Sequence, residues 1–335
     1  MRLLPALTLV GGLILSSTTM SRAEPVVIRA AWAAVPGQLF PVLMQLKDVL
    51  IHFGKSYILE PIRSPGSGPQ TTELATGDIS LAYFAPSAFA LAIQNAHMDD
   101  LRLIGVATRD GYQDYYTRQF SVMPNSPIKK VEDLKGKVIA DNSIGGAMDL
   151  GMRYMLKNHG LDDKRDYTVV ETEFPNILPA LMADKVDMGF LTTPFSVKPI
   201  KEGTVRVLFT MKEAMGGQSE LTIIAGRTPY LSKNRAALVD YFEDTHRAMN
   251  WILDPANRPA ALKLIADFTK QPVSAFEDWL FTKGDDYHTP DSRPDLVAMQ
   301  NNIDAQKKLG LLKMDIDIKK YSDLTIVDEA AARMK

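Results

Sequence analysis

Apolar residues along this chain recur in two alternating patterns. Short runs that are almost wholly apolar are separated by longer segments in which apolar positions return every three or four residues. The first pattern predicts strands covered on both faces; the second predicts amphipathic helices. Strands are expected over 26–32, 57–63, 79–85 and 101–107, and again over 138–140, 167–171, 188–191, 205–209 and 221–225. Helices are expected over 38–53, 70–75, 88–96, 148–158, 177–183, 235–253, 260–268, 273–283 and 296–309. In the first of these, Leu39, Val42, Leu43, Leu46, Val49, Leu50 and Phe53 keep the helical period, and Gly54 closes it. Pro86 stands where a helix start needs no N–H. Strands alternating with helices at this spacing build βαβ units around a parallel sheet.

The alternation comes in two series that echo each other. The stretch 74–84, Leu-Ala-Thr-Gly-Asp-Ile-Ser-Leu-Ala-Tyr-Phe, matches 181–191, Leu-Met-Ala-Asp-Lys-Val-Asp-Met-Gly-Phe-Leu, as a helix end, a polar turn and a buried strand. A proline follows each within three residues, Pro86 and Pro194. Two similar α/β lobes with a cleft between them are the expected architecture. The chain returns to its first unit through 221–225 and is mostly helical after Thr228.

The N-terminus departs from this pattern. Arg2 precedes thirteen uncharged residues, 3–15, and Ser21-Arg22-Ala23 offers small residues at the two positions a signal peptidase reads. An export signal over 1–23, cleaved before Glu24, is the expectation, because the apolar run is too short to span a bilayer. It places the mature chain in the periplasm. Cysteine is absent from the whole sequence, which removes disulfides, thiolate metal sites, a cysteine nucleophile and the usual lipid anchor together. Lys and Arg number 38 against 40 Asp and Glu, a net charge of -2, so there is no basic excess for nucleic acid. His52, His97, His159, His246 and His288 show no metal-ligand spacing. The sequence lacks a P-loop and a G-x-S-x-G elbow, and the Gly66-Ser67-Gly68-Pro69 stretch lacks the third glycine of a dinucleotide fingerprint. No cofactor or metal is expected.

Several segments together resemble the periplasmic solute-binding proteins of nitrate/sulfonate/taurine ABC importers, the NitT/TauT or SsuA/THI5-like family. They are Leu74-Ala75-Thr76-Gly77-Asp78-Ile79-Ser80, Ala85-Pro86-Ser87-Ala88, the segment 126–140 with its Asp133-Leu134-Lys135-Gly136-Lys137 core, and 180–187 before a Gly-Phe strand. The resemblance covers most of residues 26–270. It implies a two-lobed type II periplasmic-binding-protein fold, each lobe a mostly parallel sheet flanked by helices. Lobe 1 would hold 24–112 and 218–335, lobe 2 would hold 118–212, and the hinge crossovers would lie near 112–118 and 212–218. A small organic anion, a sulfonate or a carboxylate with an aromatic or alkyl body, would bind in the cleft. A monomeric, loaded protein would then dock on a membrane permease served by an ATPase. One relative of this fold makes a thiamine pyrimidine with a cysteine-rich motif, which this chain lacks.

Three corners place a strand end, small residues and a helix start in series: Gly66-Ser67-Gly68-Pro69, Ala85-Pro86-Ser87-Ala88 and Ser143-Ile144-Gly145-Gly146-Ala147. A helix start leaves N–H donors free and carries partial positive charge. Ser67, Gly68, Pro86, Ser87, Ser143, Gly145 and Gly146 are therefore candidate ligand residues, although each serine alone is equally an ordinary cap. Trp32 and Val35 after the first strand, and Phe195 at the matching corner of the second series, are candidate apolar walls; Trp32 is as readily core. Arg109 is the candidate cationic partner, with a hinge salt bridge to Asp110 or Asp114 as the competing role. Gln218, after Gly216-Gly217, stands where it can reach the cleft. An exported small-molecule enzyme on the same fold is the alternative, with Asp141 and Asp149 as its nearby carboxylates.

Overall fold

The computed structural model describes residues 24–335; the expected export signal lies outside the described residues. The strands are β1 (Val26–Trp32), β2 (Tyr57–Arg63), β3 (Leu81–Phe84), β4 (Leu101–Asp110), β5 (Gln119–Val122), β6 (Lys137–Asp141), β7 (Tyr167–Glu171), β8 (Met188–Leu191), β9 (Arg206–Thr210), β10 (Ser219–Arg227) and β11 (Tyr287–His288). They form two sheets, ordered β11-β4-β10-β3-β1-β2 and β7-β6-β8-β5-β9.

The two sheets share one plan. In the first, β1 pairs in parallel with β2 and β3, and β10 inserts antiparallel between β3 and β4. In the second, β6 pairs in parallel with β7 and β8, and β5 inserts antiparallel between β8 and β9. The echoing stretches of sequence thus end in strands, β3 and β8, that hold equivalent central places. Both are four residues long and fully buried, as strands covered by helices on both faces must be.

Helices cover each sheet. On one face of the first sheet, Arg235–Leu253 and Arg258–Thr269 pack Leu238, Phe242, Ile252 and Ile265 against Ile28, Ala30, Tyr57 and Leu59. On the other, Pro86–Asn95 and Leu296–Lys308 pack Phe89, Ile93, Met299 and Ile303 against Phe84, Leu103 and Val106. The second sheet is covered by Ala147–Asn158, with Leu150, Met152 and Leu156 buried, and by Phe174–Met182, with Ile177 and Leu181 buried.

Two expected helices do not form as such. Over 38–53 only Phe40–Leu43 is helical. The rest of that segment is held by Asp244, whose carboxylate accepts the N–H groups of Ile51, His52 and Phe53 at 2.8–3.0 Å and the Tyr57 hydroxyl at 2.9 Å. A buried carboxylate on a distant helix thus replaces the i→i−4 ladder, and the periodic apolar residues still reach the core. Over 273–283 the chain makes only the 3₁₀ turn Val273–Ala275. Strands β5 and β11, four and two residues long, carry too little pattern to be read from sequence.

The chain leaves the first sheet at Asp110, enters the second at Gln119, leaves it at Thr210 and returns at Ser219. The two crossings lie side by side: Met211 N–H donates to the Arg118 carbonyl at 2.8 Å, Lys212 N–H to Thr117 Oγ1 at 3.0 Å, and Lys212 Nζ to the Gln113 carbonyl at 2.6 Å. Arg118, buried between them, donates to both oxygens of Asp286 at 2.6 and 2.7 Å and to Asp110 at 3.2 Å. Asp110 also accepts from Thr117 Oγ1 and Arg118 N–H. Burial still pushes its carboxyl above the ordinary range, against the pull of Arg118.

Candidate functional site

The crossings fix which edges of the sheets face each other. β4 and β9 both end at the C-terminal edge of their parallel strands, and each strand entering from the other sheet runs antiparallel to them. A strand that enters antiparallel enters at that same edge. The C-terminal edges of the two sheets therefore meet at the crossings and bound one cleft. Within each sheet the connections go to one side after the first strand and to the other after the second, so the switch points lie between β1 and β3 and between β6 and β8. Open α/β sheets place ligands at such points.

Two of the predicted corners continue from β3 and β6 and the third from β2, and the structure joins them. The Ala85 N–H donates to Ser67 Oγ at 3.0 Å, tying the first corner to the second. Ser87 Oγ donates to the Gly145 carbonyl at 3.0 Å, tying the first sheet's corner to the second sheet's. Pro86 and Ser87 are buried at the first turn of Pro86–Asn95, Ser67 opens Ser67–Thr76, and Gly68 beside it is exposed. Gly146 caps Ala147–Asn158, and Gly145 holds a φ of +81° that only glycine adopts without strain.

The 143–146 loop departs from expectation. Its backbone donors are already committed: Ser143 N–H to Asp141 Oδ1 at 3.2 Å, Ile144 N–H to Glu171 Oε1 at 2.8 Å, Gly145 N–H to Asp149 Oδ2 at 2.8 Å, and Gly146 N–H to the Ser143 carbonyl at 3.0 Å. The loop braces itself on three carboxylates and presents no free N–H cradle of its own. Asp149 also takes Arg153 Nε at 2.6 Å. Asp141 is fully buried at the end of β6, and its Oδ2 has no partner among the described residues. Burial, with Asp149 beside it, raises its carboxyl to about 7.

Apolar surface lines the same edge. Phe195 is 37% exposed and Ile144 52% exposed. Phe195 ends a run of aromatic rings that starts in the core of the second sheet: Phe209 on Phe120 at 4.6 Å, Phe120 on Phe190 at 5.6 Å, Phe190 on Phe174 at 5.8 Å, and Phe174 stacked on Phe195 at 6.4 Å with planes 14° apart. Opposite, Trp32 is half-buried against Phe268 at 5.8 Å, with the Arg63 guanidinium 6.0 Å over its ring. Val35 is half-buried in the loop after it. That loop is pinned by Gln38, which accepts the Ala33 N–H at 2.5 Å and donates to the Tyr83 carbonyl at 2.8 Å.

Two candidates are engaged elsewhere. Arg109 Nε pairs with Glu220 at 3.2 Å, its Nη2 donates to the Arg293 carbonyl at 2.5 Å, and its guanidinium lies over Tyr112 and Tyr287. The expected bridge to Asp110 or Asp114 does not form: Arg109 and Glu220 are a cross-strand pair within the first sheet, and Asp114 pairs with Lys283 at 2.6 Å. Burial lifts Glu220 to about 7 against the opposing pull of Arg109. Gln218 donates to Asp295 at 2.7 Å.

Sequence reasoning missed Gln38, Phe174 and Tyr116. The Tyr116 hydroxyl sits 3.3 Å from the Leu191 carbonyl and 3.1 Å from Ser196 Oγ, linking the first crossing to the Phe195 corner. For Phe174 a signal existed, an aromatic one residue before Pro175 after a strand; for Gln38 and Tyr116 there was none.

Among the described residues, one group of potential metal ligands occurs, His52, Asp240 and Glu243. Asp240 and Glu243 lie on the helix Arg235–Leu253 and His52 on the segment before β2, and Arg333 and Arg247 pair with the carboxylates at 2.8 Å.

Comparison with known proteins agrees with this architecture. Among solved structures, the alkanesulfonate-binding protein SsuA from Xanthomonas axonopodis pv. citri, bound to MOPS, superposes with a TM-score of 0.69 at 20% identity, covering 90% of this chain and 100% of that one. The periplasmic nitrate-binding protein NrtA from Synechocystis PCC 6803 gives 0.70 at 13%, covering 93% and 90%. The desulfurization enzyme DSZB gives 0.66 at 14%, covering 92% and 100%. At these identities the likeness is one of fold. No curated protein matches the sequence. The sequence model described as NMT1/THI5 like matches residues 62–258, more than half of the chain, and the chain belongs to that family.

Proposed function

We propose that this chain is the extracytoplasmic solute-binding component of an ABC importer. It captures a small organic anion, a sulfonate or carboxylate with an aromatic or alkyl body, and delivers it to a membrane permease driven by its ATPase. Residues 24–112 with 218–335 act as one jaw and 118–212 as the other, turning on the crossings near 112–118 and 212–218. The protein works as a monomer without a cofactor.

The observation that carries this reading is the Ser87–Gly145 hydrogen bond, which closes the helix-start corner of one sheet onto the corner of the other at the switch points. The helix starts at Ser67 and Ser87 supply positive dipole ends to the cleft. The sulfonate- and nitrate-binding neighbours share the fold. The test is a thermal-shift and calorimetric panel of alkanesulfonates, nitrate, taurine and aromatic acids on the mature chain. A true solute at 100 times its Kd adds about 2.7 kcal/mol of stability, and a panel without any stabilising anion refutes the reading.

An exported small-molecule enzyme is the second reading. It is favoured by the desulfurization enzyme among the neighbours and by the raised carboxyl of Asp141 at the cleft edge. Recovery of unaltered ligand after long incubation excludes it; appearance of a product establishes it.

A further inference from the structure

We propose that the solute is a monoanion with an aromatic body, held one way round: the ring stacks on Phe195 in the second jaw, and the charged head points to the helix starts at Ser67 and Ser87 in the first. The proposal rests on solute capture and adds to it an orientation, a rule of exclusion and a positioning residue.

Two independent features of the second jaw lead here. The first is the ring run from Phe209 to Phe195. Its last member is exposed at the cleft edge, and the ring of its neighbour Phe174 lies nearly parallel to it, centroids 6.4 Å and planes 14° apart. An exposed aromatic already packed against one ring loses less freedom than an unpacked one when a second ring covers its outer face, and offset stacking favours a planar π-surface over a saturated ring of the same size. Phe174 thus acts as a positioning residue: it orients the Phe195 face from behind.

The second feature is charge. The 143–146 loop beside Phe195 rests on Asp141, Asp149 and Glu171, and its N–H groups are taken by them and by the Ser143 carbonyl. Among the described residues, Asp149 alone of these carboxylates has an arginine partner, Arg153. An anionic head placed here meets like charge and no free loop donor. In the first jaw, the corner segments at Ser67 and Ser87 are joined through the Ala85 N–H and open two ten-residue helices that carry no acidic residue in their first turns. The difference sets the head toward the first jaw. It also means that a second negative charge at the far end of the ligand falls on the acid-braced loop, so para-dianions are rejected.

The experiment measures Kd by calorimetry on the mature chain for benzoate, cyclohexanecarboxylate and terephthalate, with benzenesulfonate and cyclohexanesulfonate as a parallel pair. The aromatic member of either matched pair binds about 2- to 10-fold more tightly than the saturated one, as a stacking preference allows. Terephthalate binds at least about 10-fold more weakly than benzoate. F174L narrows the aromatic-to-saturated ratio toward one, and F195L does the same, so failure of one variant to fold leaves the other. E171Q keeps an acceptor for the Ile144 N–H and narrows the benzoate-to-terephthalate ratio. Equal affinities within both matched pairs, or a terephthalate penalty unchanged in E171Q, overturn the proposal while leaving solute capture intact. Absence of binding by every small anion overturns both.

Discussion

Replacing Asp141 with asparagine isolates one buried charge and gives its cost a measurable size. Asp141 is 0% exposed, its Oδ2 lacks a partner among the described residues, and burial with Asp149 nearby holds its carboxyl at about 7 against an ordinary 3.8. The folded protein binds this proton more tightly than the unfolded chain does. The folded state therefore carries no charge penalty below about pH 4, loses stability as pH rises from there toward 7, and stays at the lower level above. At about 1.4 kcal/mol per pH unit the full loss is roughly 4 kcal/mol, of which about 2–3 kcal/mol falls between pH 5 and pH 8. In D141N, Oδ1 still accepts the Ser143 N–H, while the new amide puts donors where Oδ2 had no partner, at a cost of about 1–3 kcal/mol that does not vary with pH. Urea unfolding of wild type and D141N at pH 5 and pH 8 gives the difference directly. Glu220, raised to about 7, and His246, lowered to about 4 by burial, titrate in both proteins and cancel. The variant should gain about 2–3 kcal/mol on wild type across that interval. A difference that stays constant with pH shows that Asp141 is ordinarily ionised in the fold, and the account of the acid-braced loop fails with it.

Three further outcomes are expected. R109A leaves Glu220 buried without its cation, so unfolding free energy falls by about 3 kcal/mol or more while ligand Kd is unchanged; a Kd loss with intact stability returns Arg109 to the cleft. D244A frees three N–H groups and the Tyr57 hydroxyl together and costs about 3 kcal/mol or more in urea unfolding, with hydrogen exchange rising over 44–53; protection that survives there refutes the anchoring role. S87A removes the bond between the two jaws, worth about 1 kcal/mol, and shifts the closed-to-open ratio of the unliganded protein about five-fold toward open; an unchanged radius of gyration by small-angle scattering contradicts that.

The elements legible in the sequence are those whose pattern was set by burial alone. Tyr167–Glu171, Met188–Leu191 and Arg235–Leu253 lie where the apolar period places them. The failures share a cause: long-range polar partners that periodicity does not encode. Over 44–53 the apolar spacing is helical, yet a carboxylate from residue 244 takes the backbone donors and the chain follows Asp244 instead of its own ladder. At the candidate site, the small-residue corners were visible because helix starts have a local signature. Among the carboxylates that take the 143–146 donors, Asp141 and Asp149 are local and read as caps, whereas Glu171, 27 residues from Ile144, had no signal. Arg109 lies at the end of β4, and its partner Glu220, 111 residues away, had no signal in the chain.

The two adjacent crossings, where the proposed hinge would lie, arise from the way the sheets are completed. Each sheet receives one strand from the chain as it arrives from the other, β5 in the second and β10 in the first, and each inserts antiparallel beside the central strand. Arrival at the cleft edge leaves no other direction open to it. Both crossings must then lie at that edge, adjacent to each other, and any change in the angle between the sheets has to be taken up there. The buried set Asp110, Arg118 and Asp286 fastens the first crossing to the segment leading into β11, so the first crossing and the first sheet move together. Gly111, and Gly216 and Gly217 in the second crossing, hold φ values of 64°, 71° and 157°, where glycine is favoured. Helix Leu296–Lys308 adds a further constraint: it packs on the first sheet through Met299 and Ile303, while Ala305 lies in the core of the second and Lys308 Nζ reaches Asn158 Oδ1 at 2.6 Å. A helix anchored in both lobes resists wide separation on its own side. On the proposed jaw reading, opening that preserves these contacts would swing about the glycine-bearing crossings and that helix together, and part the lips where Ser87 meets Gly145.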